Sequence, residues 1–344
     1  MKIILDDAQI KESLYPFTDT RHVADIRVGI LTIREKWTLL EENNFIFENE
    51  NSINIPANII PTIQNVHRIF DAISSNKKLK NDNDIKYLSH PWHIFELNDW
   101  ALRKDFELIT AGRTSQPIPG SNKIVAAQNI FIEEGASVEH CIINASTGPV
   151  YIGKNAIIME GCIIRGPFAI CENAILKMGA KIYGATTIGP NCVAGGEIKN
   201  SILFANSNKA HDGYLGDSVI GEWCNLGAGT SNSNIKNTAS NVKVWCNTTK
   251  NFEDAGLKCG LLMGDYSRSA INTSFNTGTV VGVCCNIFGE GFPPKLVTNF
   301  TWGKQQYVFE KALQDIDNWK KLKKMEISFE EKNILKNLYN YKTT

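Results

Sequence analysis

The chain has 344 residues, 43% hydrophobic and 21% charged, with 36 Lys and Arg set against 36 Asp and Glu. That length exceeds one ordinary compact core and predicts two domains or a repeat architecture. Zero formal net charge supplies no basic field for a nucleic-acid backbone or an anionic membrane, and no apolar run of about 18 residues or more could span a bilayer.

Met1 to Asp7 reads as a short strand ending in two acidic residues, without the basic start and apolar stretch of a secretory signal, so the expected location is the cytoplasm. Arg27 to Ile33 is strand-like, Ile63 to Ile73 helix-like, and Asn76 to Asp84 a polar, turn-rich stretch. Trp92 to Thr110 spaces its apolar residues as one amphipathic helix linking this small α/β region to the remainder of the chain, and the run SQPIPG ending at Gly120 marks the boundary.

From Ile152 an aliphatic residue recurs at every sixth position: Ile158, Ile164, Ile170, Leu176, Ile182 and Ile188. Four residues after each come Ala156, Cys162, Phe168, Ala174, Ala180, Thr186 and Cys192, small in six of seven cases and suited to corners. Period six is neither helical nor simple strand alternation, so each unit is a short strand plus a turn. Three units close a triangular coil, and stacked coils bury the aliphatics in a continuous column. The register recurs at Ile220 and Leu226, and Ile124 to Ile143 carries looser early turns. Ala194 to Gly216, where the register is interrupted, reads as an excursion in or beside the solenoid.

After GEGFPP, where Pro293 and Pro294 are expected to stop the coils, two helices are predicted between about Gln305 and Tyr341, the second capped by Ser328 with Glu331. The expected domains are therefore 1–110, 111–294 and 295–344. All nine cysteines fall between Cys141 and Cys285 with no CxxC pair. They read as small core residues, and neither a disulfide framework nor a structural zinc is expected, so no metal ligands are assigned.

The segment Lys209 to Asn234, KAHDGYLGDSVIGEWCNLGAGTSNSN, resembles the acetyltransferase half of the bifunctional N-acetylglucosamine-1-phosphate uridyltransferase/glucosamine-1-phosphate acetyltransferases. In that family a His three residues before a Tyr precedes LGD, IG, N-IGAGT and a later Asn. Here these are His211, Tyr214, Leu215 to Asp217, Ile220 with Gly221, Asn225 to Thr230, and Asn234. The resemblance implies a left-handed β-helix, whose hand the period alone does not fix, and a homotrimer with acetyl-CoA in the groove between subunits. It also implies an amino-sugar phosphate acceptor such as glucosamine-1-phosphate, on the way to a nucleotide sugar.

An amine that attacks a thioester must be unprotonated and must lose a proton as the tetrahedral intermediate forms, a task suited to an imidazole such as His211. By the same resemblance Tyr214, Asn225 and Asn234 contact the sugar, Lys199 and Lys181 the phosphate, the Ala228 amide the thioester oxygen, and Thr273 the pantetheine or thioester end. His22, His67, His90, His93 and His140 lack such surroundings and read as structural or solvated.

Leu14 to Trp37, LYPFTDTRHVADIRVGILTIREKW, resembles the start of a sugar-1-phosphate nucleotidyltransferase, but the Gly-rich phosphate loop is missing and His22-Val23 stands where that family has Pro-Lys. Any residual role would fall to Arg21 and Arg27 on phosphates and to Asp6 or Asp7 on Mg²⁺, which is implied only if this region is active. The sequence therefore reads as a mainly β protein: a left-handed parallel β-helix with a short N-terminal α/β nucleotidyltransferase-like domain and C-terminal helices. Its expected function is acetyl-CoA-dependent N-acetylation of an amino-sugar phosphate. The rival readings are sugar-1-phosphate nucleotidyl transfer from UTP or dTTP and a non-catalytic trimeric scaffold or sensor.

Overall fold

In the computed structural model Ile170 pairs with Ile152 on one side and Ile188 on the other, Leu176 with Ile158 and Ala194, and Ile182 with Ile164 and Ile198. The six-residue period is thus three parallel ladders, each receiving every third unit. The structure describes residues 2–43, 45, 52–75, 77, 79 and 82–343. It is a left-handed parallel β-solenoid of about ten turns, preceded by a short α/β unit and followed by C-terminal helices.

The first sheet has nine strands, from Ile130–Ile132 to Leu296–Val297, and the second has ten, from Ser137–Val138 to Thr301–Trp302 with Gln305–Gln306 folded back on its edge. The third has six, from Lys123–Val125 to Tyr214–Gly216, and a separate pair, Ser231–Asn232 with Ser274–Phe275, comes after it. Ile152, Ile164, Ile170, Leu176, Ile182 and Ile188 are all 1% exposed or less, and each contributes about 1.5–3 kcal/mol of apolar transfer energy. Ala156, Cys162, Ala174, Ala180 and Cys192 fill the corners without exposure. Asn155, Asn173 and Asn191, one coil apart, take the left-handed turn conformation that Asn tolerates.

Two readings of the solenoid are corrected. Ala194 to Gly216 is no excursion: Glu197 pairs with Lys181, Ile202 with Thr187 and Asn208 with Val193. This coil advances 15 residues from Val193 to Asn208, against 18 from Ile175 to Val193. Its sides are shortened, and the period breaks while the pairing does not. The chain leaves the solenoid later, between Asn232 and Leu261, where Lys243–Cys246 and Asn251–Asp254 form an antiparallel hairpin. Nor do Pro293 and Pro294 end the pairing, since Leu296 still joins Val280 and Trp302 joins Asn286. The prolines lie on the side that would continue the third sheet, where no ladder among the described residues needs their missing N–H groups.

In the N-terminal unit the strand Lys2–Asp6 forms, whereas Arg27 to Ile33 does not. Thr32 and Glu35 make a reciprocal capping box that starts helix α1, Ile33–Glu42, and only an isolated bridge joins Arg27 to Thr32. Helix α2 is Val66–Ser74. The stretch from Asn76 to Asp84 lies partly outside the described residues. The linking helix is broken at Leu97 into α3, His93–Glu96, and α4, Asn98–Thr110.

Asn98, at the break, is fully buried: its Oδ1 accepts from Gly29 N at 2.7 Å and its Nδ2 donates to Ala185 O of the solenoid at 2.8 Å. Val242, Val244, Ala255 and Cys259 of the excursion join the same core as Val28, Trp37 and Leu88, so the N-terminal unit is packed between solenoid and excursion. Helices α5, Phe309–Lys321, and α6, Phe329–Thr343, cover Trp223, Tyr266 and Phe300. Ser328 and Glu331 exchange the expected capping bonds at 3.1 and 2.8 Å.

Candidate functional site

Between the second and third sheets each coil turns a corner, and the residues at successive corners stack. His211 lies in the turn after Asn208–Lys209, Ala228 in the turn after Asn225–Leu226, and Thr273 in the turn after Arg268–Ser269. The turns are bonded in sequence: Gly229 N donates to Asp212 O at 3.0 Å and Asn272 N to Ala228 O at 2.7 Å. With coils about 4.8 Å apart, His211 and Ala228 stand in register on neighbouring coils, and Thr273 lies on the next coil in register with Thr230, two residues past the position opposite Ala228. The Ala228 amide makes no hydrogen bond among the described residues.

The His211 side chain is exposed, but its backbone is held. Lys209, 2% exposed, donates its Nζ to His211 O at 2.5 Å and to Gly195 O at 3.2 Å, and burial pushes its ammonium down to about 8. Gly213, at φ +125°, leaves no room for a Cβ against the Thr230 carbonyl, so this turn requires glycine. Thr273 caps its own turn by donating Oγ1 to Ala270 O at 2.8 Å. It also lines a cavity of about 770 Å³ with Phe288, Phe292, Pro294 and Lys304.

Beside this corner the outer face of the third sheet carries Lys181, Glu197 and Tyr214 in one column, with Tyr183 and Lys199 in the next. Lys181 and Lys199 make no ion pair among the described residues. Lys199 Nζ stands 5.9 Å from the centre of the Tyr183 ring, and the Tyr183 hydroxyl donates to Glu197 Oε1 at 2.6 Å. Asn234, 8% exposed, donates to the Tyr214 hydroxyl at 3.1 Å and to Asp217, whose other oxygen accepts from Asn200 Nδ2 at 2.6 Å. Burial, and then the charge of Asp217, raises the Glu96 carboxyl of α3 to about 7.

Within one chain, then, the structure brings together His211, Ala228 and Thr273 on the corner and Lys181, Lys199, Tyr214 and Asn234 on the adjoining face. Asn225 is on the other side of the corner, in the second sheet, paired with Asn208 and Arg268. Arg268 is 7% exposed and lies 5.1 Å from the Trp319 ring of α5. Asp217, Asn200, Glu197 and Lys209 were not assigned roles from the sequence. Asp217 stood in the LGD motif as a signal, whereas Asn200 and Glu197 become legible only through ladder register.

The N-terminal charges are already engaged. Arg21 is ion-paired with Asp265 and, at 3.2 Å, with Glu222 of the solenoid. Arg27 donates to Ile30 O and lies 3.4 Å from Glu35. Asp7 accepts from Val23 N at 3.1 Å, and Asp6 from Ala8 N at 3.0 Å.

A family model described as sugar nucleotidyl transferase matches residues 2–49 and 47–114. The bifunctional protein GlmU of Methanococcus maripaludis strain C5 is 27% identical over 249 residues, covering 70% of this chain and 54% of that protein. GlmU of Methanocaldococcus jannaschii is 29% identical over 233 residues, covering 67% and 49%. A bifunctional sugar-1-phosphate nucleotidylyltransferase/acetyltransferase of Sulfurisphaera tokodaii is 28% identical over 204 residues, covering 58% and 44%. The chain thus spans about half the length of the curated relatives it matches. No helix among the described residues is long and apolar enough to cross a membrane.

Proposed function

We propose, from the likeness to the GlmU-like bifunctional sugar-1-phosphate nucleotidyltransferase/acetyltransferases, that the chain transfers an acetyl group from acetyl-CoA to the amine of an amino-sugar phosphate, of the class of glucosamine-1-phosphate. The observation that carries this reading is the single corner at which the successive turns holding His211, Ala228 and Thr273 lie, beside a face bearing two lysines that make no ion pair among the described residues.

His211 takes the proton of the attacking amine, and its exposure suits a base that must meet an incoming substrate. The Ala228 N–H stabilises the oxyanion, one coil further on. The pantetheine arm runs past Thr273 toward the cavity of about 770 Å³. Lys199 and Lys181 hold the phosphate, and Tyr214 and Asn234 the sugar. Acyl transfer is direct, and the nine cysteines, all buried, take no part in it.

A homotrimer belongs to the proposal and draws support from an apolar strip: Ile142 and Ile163, neighbours on the third sheet, are 46% and 51% exposed. Asn225, on the far side of the corner, would then reach a sugar bound to a neighbouring subunit. The test is to incubate the chain with acetyl-CoA and glucosamine-1-phosphate and to look for N-acetylated sugar phosphate by mass spectrometry. Absence of product from trimeric protein that binds acetyl-CoA would remove this acceptor.

Nucleotidyl transfer by residues 1–110 is a second reading, favoured by the family model over 2–114. Pyrophosphate release from UTP or dTTP with Mg²⁺ would support it. The engagement of Arg21, Arg27 and Asp7 in internal contacts weighs against it.

A further inference from the structure

Where the excursion meets the N-terminal unit, His90, Cys246 and Glu253 bring donor atoms within 4.8 Å of one another. The hairpin register explains two of them. Val244 pairs with Glu253 and Cys246 with Asn251, so Val244, Cys246 and Glu253 project from the same face, toward the N-terminal unit. The third comes from the loop before α3, where the His90 ring is stacked on Trp92 at 4.4 Å between centres and 5° between planes. Thr249 donates to Glu253 Oε1 at 2.7 Å, which leaves Oε2 facing His90 Nδ1 at 3.8 Å.

That distance is too long for a hydrogen bond, and His90 Nδ1 is buried with no hydrogen-bond partner among the described residues. A buried polar atom left in this way is costly unless something else satisfies it. In a tetrahedral zinc centre with Zn–N and Zn–O of about 2.0–2.2 Å, neighbouring ligand atoms stand roughly 3.4 Å apart, and somewhat more where one is a thiolate. The imidazole–carboxylate edge therefore needs a contraction of only a few tenths of an ångström to close on a small ion, and the Cys246 sulfur stands within 4.8 Å of both groups. Imidazole, thiolate and carboxylate together form a borderline-soft set, suited to zinc rather than to magnesium or calcium.

We propose that His90, Cys246 and Glu253 bind a zinc-class divalent ion that fastens the excursion to the N-terminal unit, with solvent in the fourth position. His90 is far in sequence from Cys246 and Glu253, so the ion binds the folded state and acts as a cross-link. The excursion it secures begins beside Asn234, which ties the clamp to the wall of the candidate sugar site.

The test uses the full chain, stripped with a chelator, supplied with one equivalent of zinc and desalted before its metal content is measured. One zinc per chain is expected, together with a zinc-dependent rise in the melting midpoint. His90→Gln, Glu253→Gln and Cys246→Ser should each weaken retention by more than the roughly 10- to 100-fold that loss of a partner behind a ligand costs. Cobalt should give a thiolate-to-metal charge-transfer band that Cys246→Ser abolishes, the fold of each variant being checked by circular dichroism. If buried Cys246 cannot be replaced without unfolding, His90→Gln and Glu253→Gln, at half-exposed positions, decide the matter. Desalted protein without stoichiometric zinc would overturn the proposal, as would zinc retained undiminished in the folded variants.

Discussion

Asn234 donates its side-chain amide both to the Tyr214 hydroxyl, at 3.1 Å, and to the buried carboxylate of Asp217. Asp217 therefore orients the two groups proposed to meet the sugar. Asp217→Asn keeps the volume but loses the charged acceptor shared by Asn200 and Asn234. About 1.4 kcal/mol of lost orientation is tenfold. The acceptor KM is expected to rise about 10-fold while the acetyl-CoA KM stays unchanged, as steady-state kinetics with each substrate varied in turn will read. An unchanged acceptor KM would remove Asp217 from the site.

Lys209 provides a pH dependence whose sign can be worked out. Its pKa is depressed from 10.5 to about 8 by burial, so between these values the unfolded chain holds the proton and the native chain does not. The penalty, of the order of 3 kcal/mol, is present in full below about pH 8 and is relieved as pH rises toward 10.5. Lys209→Met removes it. The stability difference between wild type and variant, measured by urea unfolding at pH 7.5 and 9.5, should shift in favour of the wild type at the higher pH. A difference independent of pH would contradict this assignment.

The N-terminal unit contains a buried ion pair, Lys36 with Asp105, at 0% and 2% exposure. Asp105 also accepts from the N–H groups of Ile30 at 2.7 Å and Leu31 at 3.0 Å. Lys36→Met leaves that carboxylate buried without its cation and should cost about 3–5 kcal/mol in urea unfolding. Adding Asp105→Asn, which keeps an acceptor for the backbone, should recover part of the loss. A fully additive double mutant would contradict the pairing.

The solenoid was legible because its period is strict from Ile152 to Ile188 and each residue on that register meets the same surroundings. Its irregular coils were not, because a side shortened at Gly195 and Gly196 leaves the ladders intact while shifting every later position. The start of α1 carried a readable signal, Thr32 with Glu35, that the β-branched Val28, Ile30 and Ile33 around it obscured. The candidate corner residues were found through a motif, and their stacking on one edge arises from the coil. Glu197 beside Lys181 and Asn200 beneath Asp217 depend on which coil pairs with which. His90, Cys246 and Glu253 come from two segments that only tertiary packing joins, so no local spacing could reveal them.

The most direct test of the central claim is thiol release from acetyl-CoA with glucosamine-1-phosphate as acceptor, comparing the wild type with His211→Ala in protein of the same oligomeric state. The account predicts acceptor-dependent release that falls by about 10²-fold or more in the variant, the scale of removing a general base. Release undiminished in His211→Ala, or none from wild type that binds acetyl-CoA, would contradict it.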